Sequence, residues 1–165
     1  GIKLFNGVSA IDDGRKRCNR LDGKTWTRYS ISVWSDLRRS IPESRLNHPA
    51  AFPLQLAGRC IEIFTAAPGE VVLDPFAGTG TTLLGAYNLG RQGVGFEIYE
   101  RYLALFEQRL RSEEAAPAGS RFPRPRLYHD NALNLGHYLE PNSVDFILTS
   151  AARLRRACRR SGPVR

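Results

Sequence analysis

The residues of this 165-residue chain best suited to chemistry are Asp74, Pro75, Phe76, Ala77, Gly78, Thr79, Gly80, Thr81 and Thr82, consecutive in the sequence. Gly78 and Gly80 let the backbone bend sharply and approach a ligand with no side chain in the way. Thr81 and Thr82 open a helix whose first N–H groups lack intrahelical partners and face the same space. A ligand lying across the turn would meet backbone donors, the carboxylate of Asp74 and the edge of Phe76. Three kinds of glycine turn are in question. A phosphate-gripping loop needs lysine after its last glycine; here Thr81 follows Gly80. A dinucleotide fingerprint needs a third small residue three places after the second glycine; here that residue is Leu83. The third kind is a nucleoside site with no phosphate to cradle. Asp74 fits it, because a carboxylate repels pyrophosphate but accepts hydrogen bonds from an amine or a hydroxyl. The plain alternative is an ordinary strand, turn and helix of an α/β domain.

Several elements must position these groups. Val71 to Leu73 is a short apolar run closed by Asp-Pro, which predicts a buried strand with Asp74 at its tip. A helix is predicted from Thr81 to Leu89, ended by Gly90. Gly93 to Glu97 is a second strand, and an acid at its tip is placed to take both hydroxyls of a ribose. Tyr102, Leu105, Phe106 and Leu110 mark the next helix, and residues 112–126 read as a connector. Arg126 to His129 is a third strand with Asp130 and Asn131 at its tip. Pro141-Asn142 turns the chain into Ser143–Ser150, where Val144, Phe146, Ile147 and Leu148 predict a fourth buried strand. Upstream, His48-Pro49 favours extended backbone at His48, and Pro53 suits a helix start. Leu54, Ala57, Ile61 and Phe64 then recur at helical spacing, with Cys60 and Ile63 alongside. Trp26, Tyr29, Ile31, Val33 and Trp34 are β-type residues beside Arg28. They could stack on nucleic-acid bases or form a packed edge of the core. Residues 1–24 read as loop with a short strand at Ile2 to Phe5.

The string from Asp74 to Thr82 resembles the cofactor motif of S-adenosylmethionine-dependent DNA methyltransferases that modify exocyclic amino groups, N4 of cytosine or N6 of adenine. The segment with His48, Pro49, Ala50 and Phe52 is similar to a second motif, which in that family lines the methionine end of the cofactor pocket. The Trp26 stretch looks like the one preceding the cofactor motifs in one branch of the family. Glu97 matches the family's ribose-binding acid. At the position of the family's adenine-side acid stands Asn131, with Asp130 one place before it. The order of these motifs resembles the permutation of the amino-methyltransferase group. The resemblance covers residues 24–150 and implies an α/β, Rossmann-like methyltransferase sheet, mostly parallel and partial, with about four of roughly seven strands. It also implies S-adenosyl-L-methionine as cofactor, DNA as partner and no metal.

The family's catalytic motif should follow the fourth strand: Asp, Asn or Ser, then Pro-Pro, then an aromatic residue. An exocyclic amine is a poor nucleophile, since its lone pair is delocalised into the ring. The motif's acceptors draw on its hydrogens, and the aromatic face stacks on a flipped base. Ser150 arrives on schedule and leans toward cytosine N4, but Ala151-Ala152-Arg153 stands where Pro-Pro-aromatic should be. The remainder reads as out of frame, since serine and proline codons read one base off in a GC-rich gene give alanine codons. The alternative is a genuine basic C-terminal helix. Negligible methyl transfer by this chain is expected either way. A non-catalytic remnant that binds cofactor or nothing, and an RNA or protein methyltransferase, stay open.

The net charge of +8 is unevenly spread: residues 1–47 carry +5, residues 48–150 carry −3 and residues 151–165 carry +6. Basic ends flanking a mildly acidic middle suit a nucleic-acid partner or simply solvated chain ends. Three domains are expected: an N-terminal loop and strand segment packing on the core (1–47), a partial cofactor-binding core (48–150) and a basic tail foreign to the fold (151–165). Cys18, Cys60 and Cys158 are odd in number and lack metal spacing, which points to free thiols in a reducing, cytoplasmic compartment. No apolar run approaches a membrane span. The sequence has no methionine and reads as a piece of a longer or processed product.

Overall fold

The computed structural model describes residues 18–44, 52–115 and 123–150. The apolar run after Glu70 forms β1 (Val71–Asp74). It pairs in parallel with β2 (Gln92–Glu97), Asp74 opposite Gly95. β2 pairs in parallel with β3 (Arg126–His129), Glu97 opposite His129. A short β4 (Phe146–Ile147) lies on the other side of β1, also parallel, which makes the order β3-β2-β1-β4. The chain thus winds outward from β1 to β3 and returns to the opposite flank of β1. That reversal puts a switch point at the carboxyl ends of β1 and β4, where open α/β sheets leave a crevice for ligands.

Side chains alternate across β1 as a pleated strand requires. Val72 packs with Ile61 of α3 (Leu54–Phe64) and Ala86 of α4 (Thr81–Asn88). Leu73 packs on the other face with Val94 and Phe96. The larger cluster joins Leu54, Ala77, Leu83, Leu84 and Tyr87 to Phe106 and Leu110 of α5 (Glu100–Glu114). A fully buried leucine or phenylalanine such as Leu83 or Phe106 stabilises the fold by about 1.5–3 kcal/mol. α3 and α4 approach so closely that a Cβ on Gly85 would stand 3.0 Å from the Ala57 Cβ. The opposite face is covered, among the described residues, by Tyr128, Ala132, Leu139 and Val144.

The N-terminal segment is tied onto α3. Asp22 caps α1 (Gly23–Tyr29), accepting from the Thr25 N–H at 2.9 Å and its hydroxyl at 3.0 Å. Ser40 and Glu43 form a capping box around α2 (Ile41–Ser44): the Glu43 N–H donates to Ser40 Oγ, and Glu43 Oε2 accepts from the Ser40 N–H. Glu43 Oε1 also accepts from the Leu54 N–H, so one buried acid caps α3 as well. Arg59, only 7% exposed, donates from both terminal nitrogens to Asp36, at 3.0 and 2.7 Å. Its guanidinium lies 4.6 Å from the Tyr29 ring centre and 5.1 Å from that of Trp34. The Trp34 indole in turn donates to Tyr29 O.

Four expectations are corrected. The β-type stretch begins as helix, because the Asp22 cap satisfies the first turn locally and local capping outweighs β propensity. The connector expected from residue 112 begins later: α5 runs to Glu114, where Arg124 holds Glu107 and Glu114 at 2.8 and 3.0 Å. The fourth strand is not buried throughout. It pairs at two residues, and Ile147 is 57% exposed, because β4 is flanked by β1 alone among the described strands. Phe64 lies outside the core and stacks on Phe146 at 5.1 Å instead. The strand expected at Ile2–Phe5, the positions of His48, Pro49 and Ala50, and the tail 151–165 lie outside the described residues.

Candidate functional site

The turn after β1 is pinned from several sides. Ala77 N–H donates to Phe96 O of β2 at 2.9 Å, and Gly80 N–H donates to Ala77 O at 2.8 Å. Gly78 and Gly80 both have positive φ, 53° and 74°. At Gly80 the requirement is also steric, since a Cβ would stand 2.1 Å from a ring carbon of Phe106. At Gly95 no left-handed backbone is involved; there a Cβ would come within 2.8 Å of Ala77 and 2.9 Å of Leu83, so glycine lets the turn lie against β2.

The two strand-tip acids differ in environment. Glu97 spans the turn: Oε2 accepts from the Gly78 N–H at 3.0 Å and Oε1 from the Tyr99 N–H at 2.8 Å. Each oxygen keeps a second lone pair for another donor. Asp74 is 2% exposed. Oδ2 accepts from the Thr82 hydroxyl at 2.7 Å, and Oδ1 accepts from the Phe76 N–H at 3.1 Å, a local Asx turn. Burial raises the pKa of Asp74, the Thr82 hydroxyl and Phe76 N–H opposing that shift and the charge of Glu97 reinforcing it. Asp74 therefore joins the turn to the start of α4. Because the Thr82 hydroxyl also faces Leu148 O at 3.4 Å, the junction extends to the end of β4.

The other residues singled out from sequence fall as follows. Phe76, which follows the tip of β1, is 56% exposed, and Ile98 and Tyr99, which follow β2, are exposed as well. Pro75 and Phe52 are partly exposed, and Ala77 is buried in the core. Thr79 and Thr81 are buried, and both hydroxyls accept from Arg109 of α5, at 3.2 and 3.0 Å. Asn131 caps the 3-10 helix Ala132–His137 by accepting from the Leu133 N–H. Asp130 accepts from the Tyr138 hydroxyl, the Asn134 amide and the Asn131 N–H, and these bonds, the tyrosine's first, lower its pKa. Ser150 is exposed two residues beyond Leu148, whose N–H donates to Leu73 O. The structure therefore gathers Asp74 to Thr82 with Glu97, and sets Asp130 and Asn131 at the next strand tip. Among the described residues no cluster of His, Cys, Asp and Glu could hold a metal ion.

Sequence reasoning missed Arg109 and Glu43. A signal existed for each. Arg109 lies three residues after Phe106, at the border of the buried stripe of α5. Ser40-Ile41-Pro42-Glu43 has capping-box spacing.

A family model described as DNA methylase, of the N6/N4 type, matches residues 12–108. The chain is similar to the type II methyltransferase M.ScaI of Streptomyces caespitosus, with 42% identity over 107 residues, covering 61% of this chain and 33% of that protein. It is similar as well to the type II methyltransferase M.MthZI of Methanothermobacter thermautotrophicus, with 40% identity over 84 residues, covering 47% of this chain and 23% of the relative. The chain thus spans a quarter to a third of the length of these relatives. Its fold superposes on a DNA modification methylase of Thermus thermophilus, TTHA0409, solved in complex with S-adenosyl-L-methionine and described there as putative, at a TM-score of 0.50 and 35% identity, covering 68% of this chain and 40% of that one.

Proposed function

This chain belongs to the DNA methylase family whose model it matches over residues 12–108, and on that premise we propose that its glycine turn holds S-adenosyl-L-methionine as part of an enzyme methylating an exocyclic amino group of cytosine or adenine in DNA. The observation that carries this reading is Glu97. Its carboxylate reaches across the turn to the Gly78 N–H at 3.0 Å, at the carboxyl end of the sheet beside the switch point.

The residues fit such a nucleoside. Glu97 is 9% exposed, and each of its oxygens keeps a lone pair able to accept from a vicinal diol. Exposed Phe76 and Ile98 offer apolar faces for a purine. Asp74 has its oxygens engaged by Thr82 and Phe76, so in this reading it braces the turn and leaves the ribose to Glu97. Asp130 and Asn131 flank the site from the third strand tip, Asp130 being held by Tyr138 and Asn134. When bound, the cofactor supplies a methyl group on a sulfonium centre for in-line transfer, so the protein's task is orientation more than acid–base chemistry. Ser150, beyond β4, would face the target amine. DNA as the partner and a cell-interior location go with the family reading; among the described residues no helix is long and apolar enough to cross a membrane.

A second reading, a chain that binds cofactor without turning over, is favoured by Ala151-Ala152-Arg153 after Ser150. Two prolines would fix the backbone and an aromatic ring would supply a stacking face; these three residues do neither. Calorimetry and a radiolabelled methyl-transfer assay on bulk DNA separate the readings. Binding of S-adenosylhomocysteine by the chain, weakened about tenfold or more in Glu97→Ala by loss of charge-assisted hydrogen bonds, supports the cofactor site. Absence of binding overturns it. Methyl transfer above background would refute the non-catalytic reading.

A further inference from the structure

The glycine turn is gripped from the front by Glu97 and from behind by a side chain with no part in the reading above. Arg109 reaches from the inner face of α5, and its Nη1 donates to Thr79 O at 2.7 Å, to the Thr81 hydroxyl at 3.0 Å and, more weakly, to the Thr79 hydroxyl at 3.2 Å. Phe106, one turn earlier on α5, is the wall against which Gly80 packs. α5 therefore forms the floor of the turn through one ring and one guanidinium. Among the described residues no carboxylate is in ion-pair contact with Arg109; Glu43 and Glu113 act on it only through their charges. Half-burying a permanent cation with no paired carboxylate costs free energy, which its hydrogen bonds to the Thr79 and Thr81 oxygens offset. Thr79 stands between two residues of positive φ, Gly78 and Gly80, in the middle of the turn proposed to hold the ligand.

We infer that Arg109 is a positioning residue: it locks the Thr79–Thr81 limb so that the turn keeps one shape against the cofactor. This rests on the reading that the turn holds S-adenosyl-L-methionine. Glu97 fixes the limb before it through Gly78, and Arg109 fixes the limb after it. Lysine at this site would keep the charge, but its ammonium sits on a shorter side chain than Arg109 Nη1, so it would recover only part of the grip.

The test uses this chain with Arg109→Met and Arg109→Lys, read by amide hydrogen exchange without ligand and by calorimetry with S-adenosylhomocysteine. In Arg109→Met the amides of residues 78–82 are expected to exchange about tenfold faster or more, those of β1 and β2 staying protected. Affinity for S-adenosylhomocysteine should fall by about the same factor, one lost charge-assisted bond being worth that much. Arg109→Lys should lie between wild type and Arg109→Met in both readouts. Turn amides that exchange as in wild type would overturn the inference. So would a uniform loss of protection across β1, β2 and the turn, which marks a merely structural role. Lysine no better than methionine would also overturn it. If Arg109→Met does not fold, Thr81→Val removes one acceptor and should give the same local pattern more weakly; unchanged exchange there overturns the inference. If the wild-type chain does not bind S-adenosylhomocysteine, the cofactor reading fails and the ligand part of this inference falls with it. The exchange arm still decides whether Arg109 holds the turn, so the two failures are told apart.

Discussion

Gly80 and Gly69 both have positive φ, 74° and 86°, but their surroundings differ. A Cβ on Gly80 collides with Phe106, whereas one on Gly69 meets nothing within 4 Å. Gly69→Ala should therefore cost only the left-handed backbone penalty, about 1–2 kcal/mol. Gly80→Ala adds overpacking against a core ring, for a total of about 2–5 kcal/mol. Denaturant midpoints of the two variants check this; equal losses would mean that Phe106 yields to the new methyl group. The sequence displayed the need for glycine at Gly80 but not its cause, because the ring that excludes a side chain lies 26 residues further along the chain. The same holds for Asp74. Its place at the tip of a strand is evident from Val71-Val72-Leu73, while its burial depends on Thr82 and the end of β4 folding over it.

At the scale of elements, the latch between the N-terminal segment and α3 has a pH signature. The hydrogen bonds from Arg59 and then Arg28 lower the pKa of Asp36 well below its ordinary 3.8. A carboxylate depressed on folding contributes stability that is full above its unfolded pKa and is lost as pH falls through the folded one. Wild type should therefore lose stability on acidification below about pH 4, and Asp36→Asn should be less stable at neutral pH with a flatter acid limb. Urea titrations at pH 7 and pH 3 measure both. Arg59→Met should cost about 1–2 kcal/mol from the two aromatic contacts alone; an unchanged midpoint would show the latch to be dispensable. None of this was legible in the aromatic stretch itself. Trp26, Tyr29 and Trp34 have β-type side chains, and only their partners on α3 decide that two of them flank a buried arginine.

For the whole molecule, the proposed site makes stability depend on ligand. A ligand at about a hundred times its Kd stabilises the native state by about 2.7 kcal/mol, which raises Tm by roughly 5–11 °C for a chain of this size. S-adenosylhomocysteine should produce that shift and adenosine a smaller one. No shift with either, at concentrations that saturate a relative, would count against the site. The charge distribution belongs to this scale too. Residues 48–150 carry −3 and the ends carry the positive excess, so attraction to a polyanion rests with the segments flanking the site.

By itself the amino-acid order determined what is local: a strand ending in an acid, a glycine turn, a helix behind it, and a second strand ending in an acid. These follow from side-chain periodicity and backbone freedom within about ten residues. The tertiary structure decided what depends on residues distant in the chain. It returned β4 to the far flank of β1, creating the switch point. It turned Asp74 inward, set Glu97 across Gly78, and brought Arg109 under the turn from 28 residues past Thr81. Buried polar groups must find partners wherever packing puts them, and local pattern carries no record of which distant group that will be.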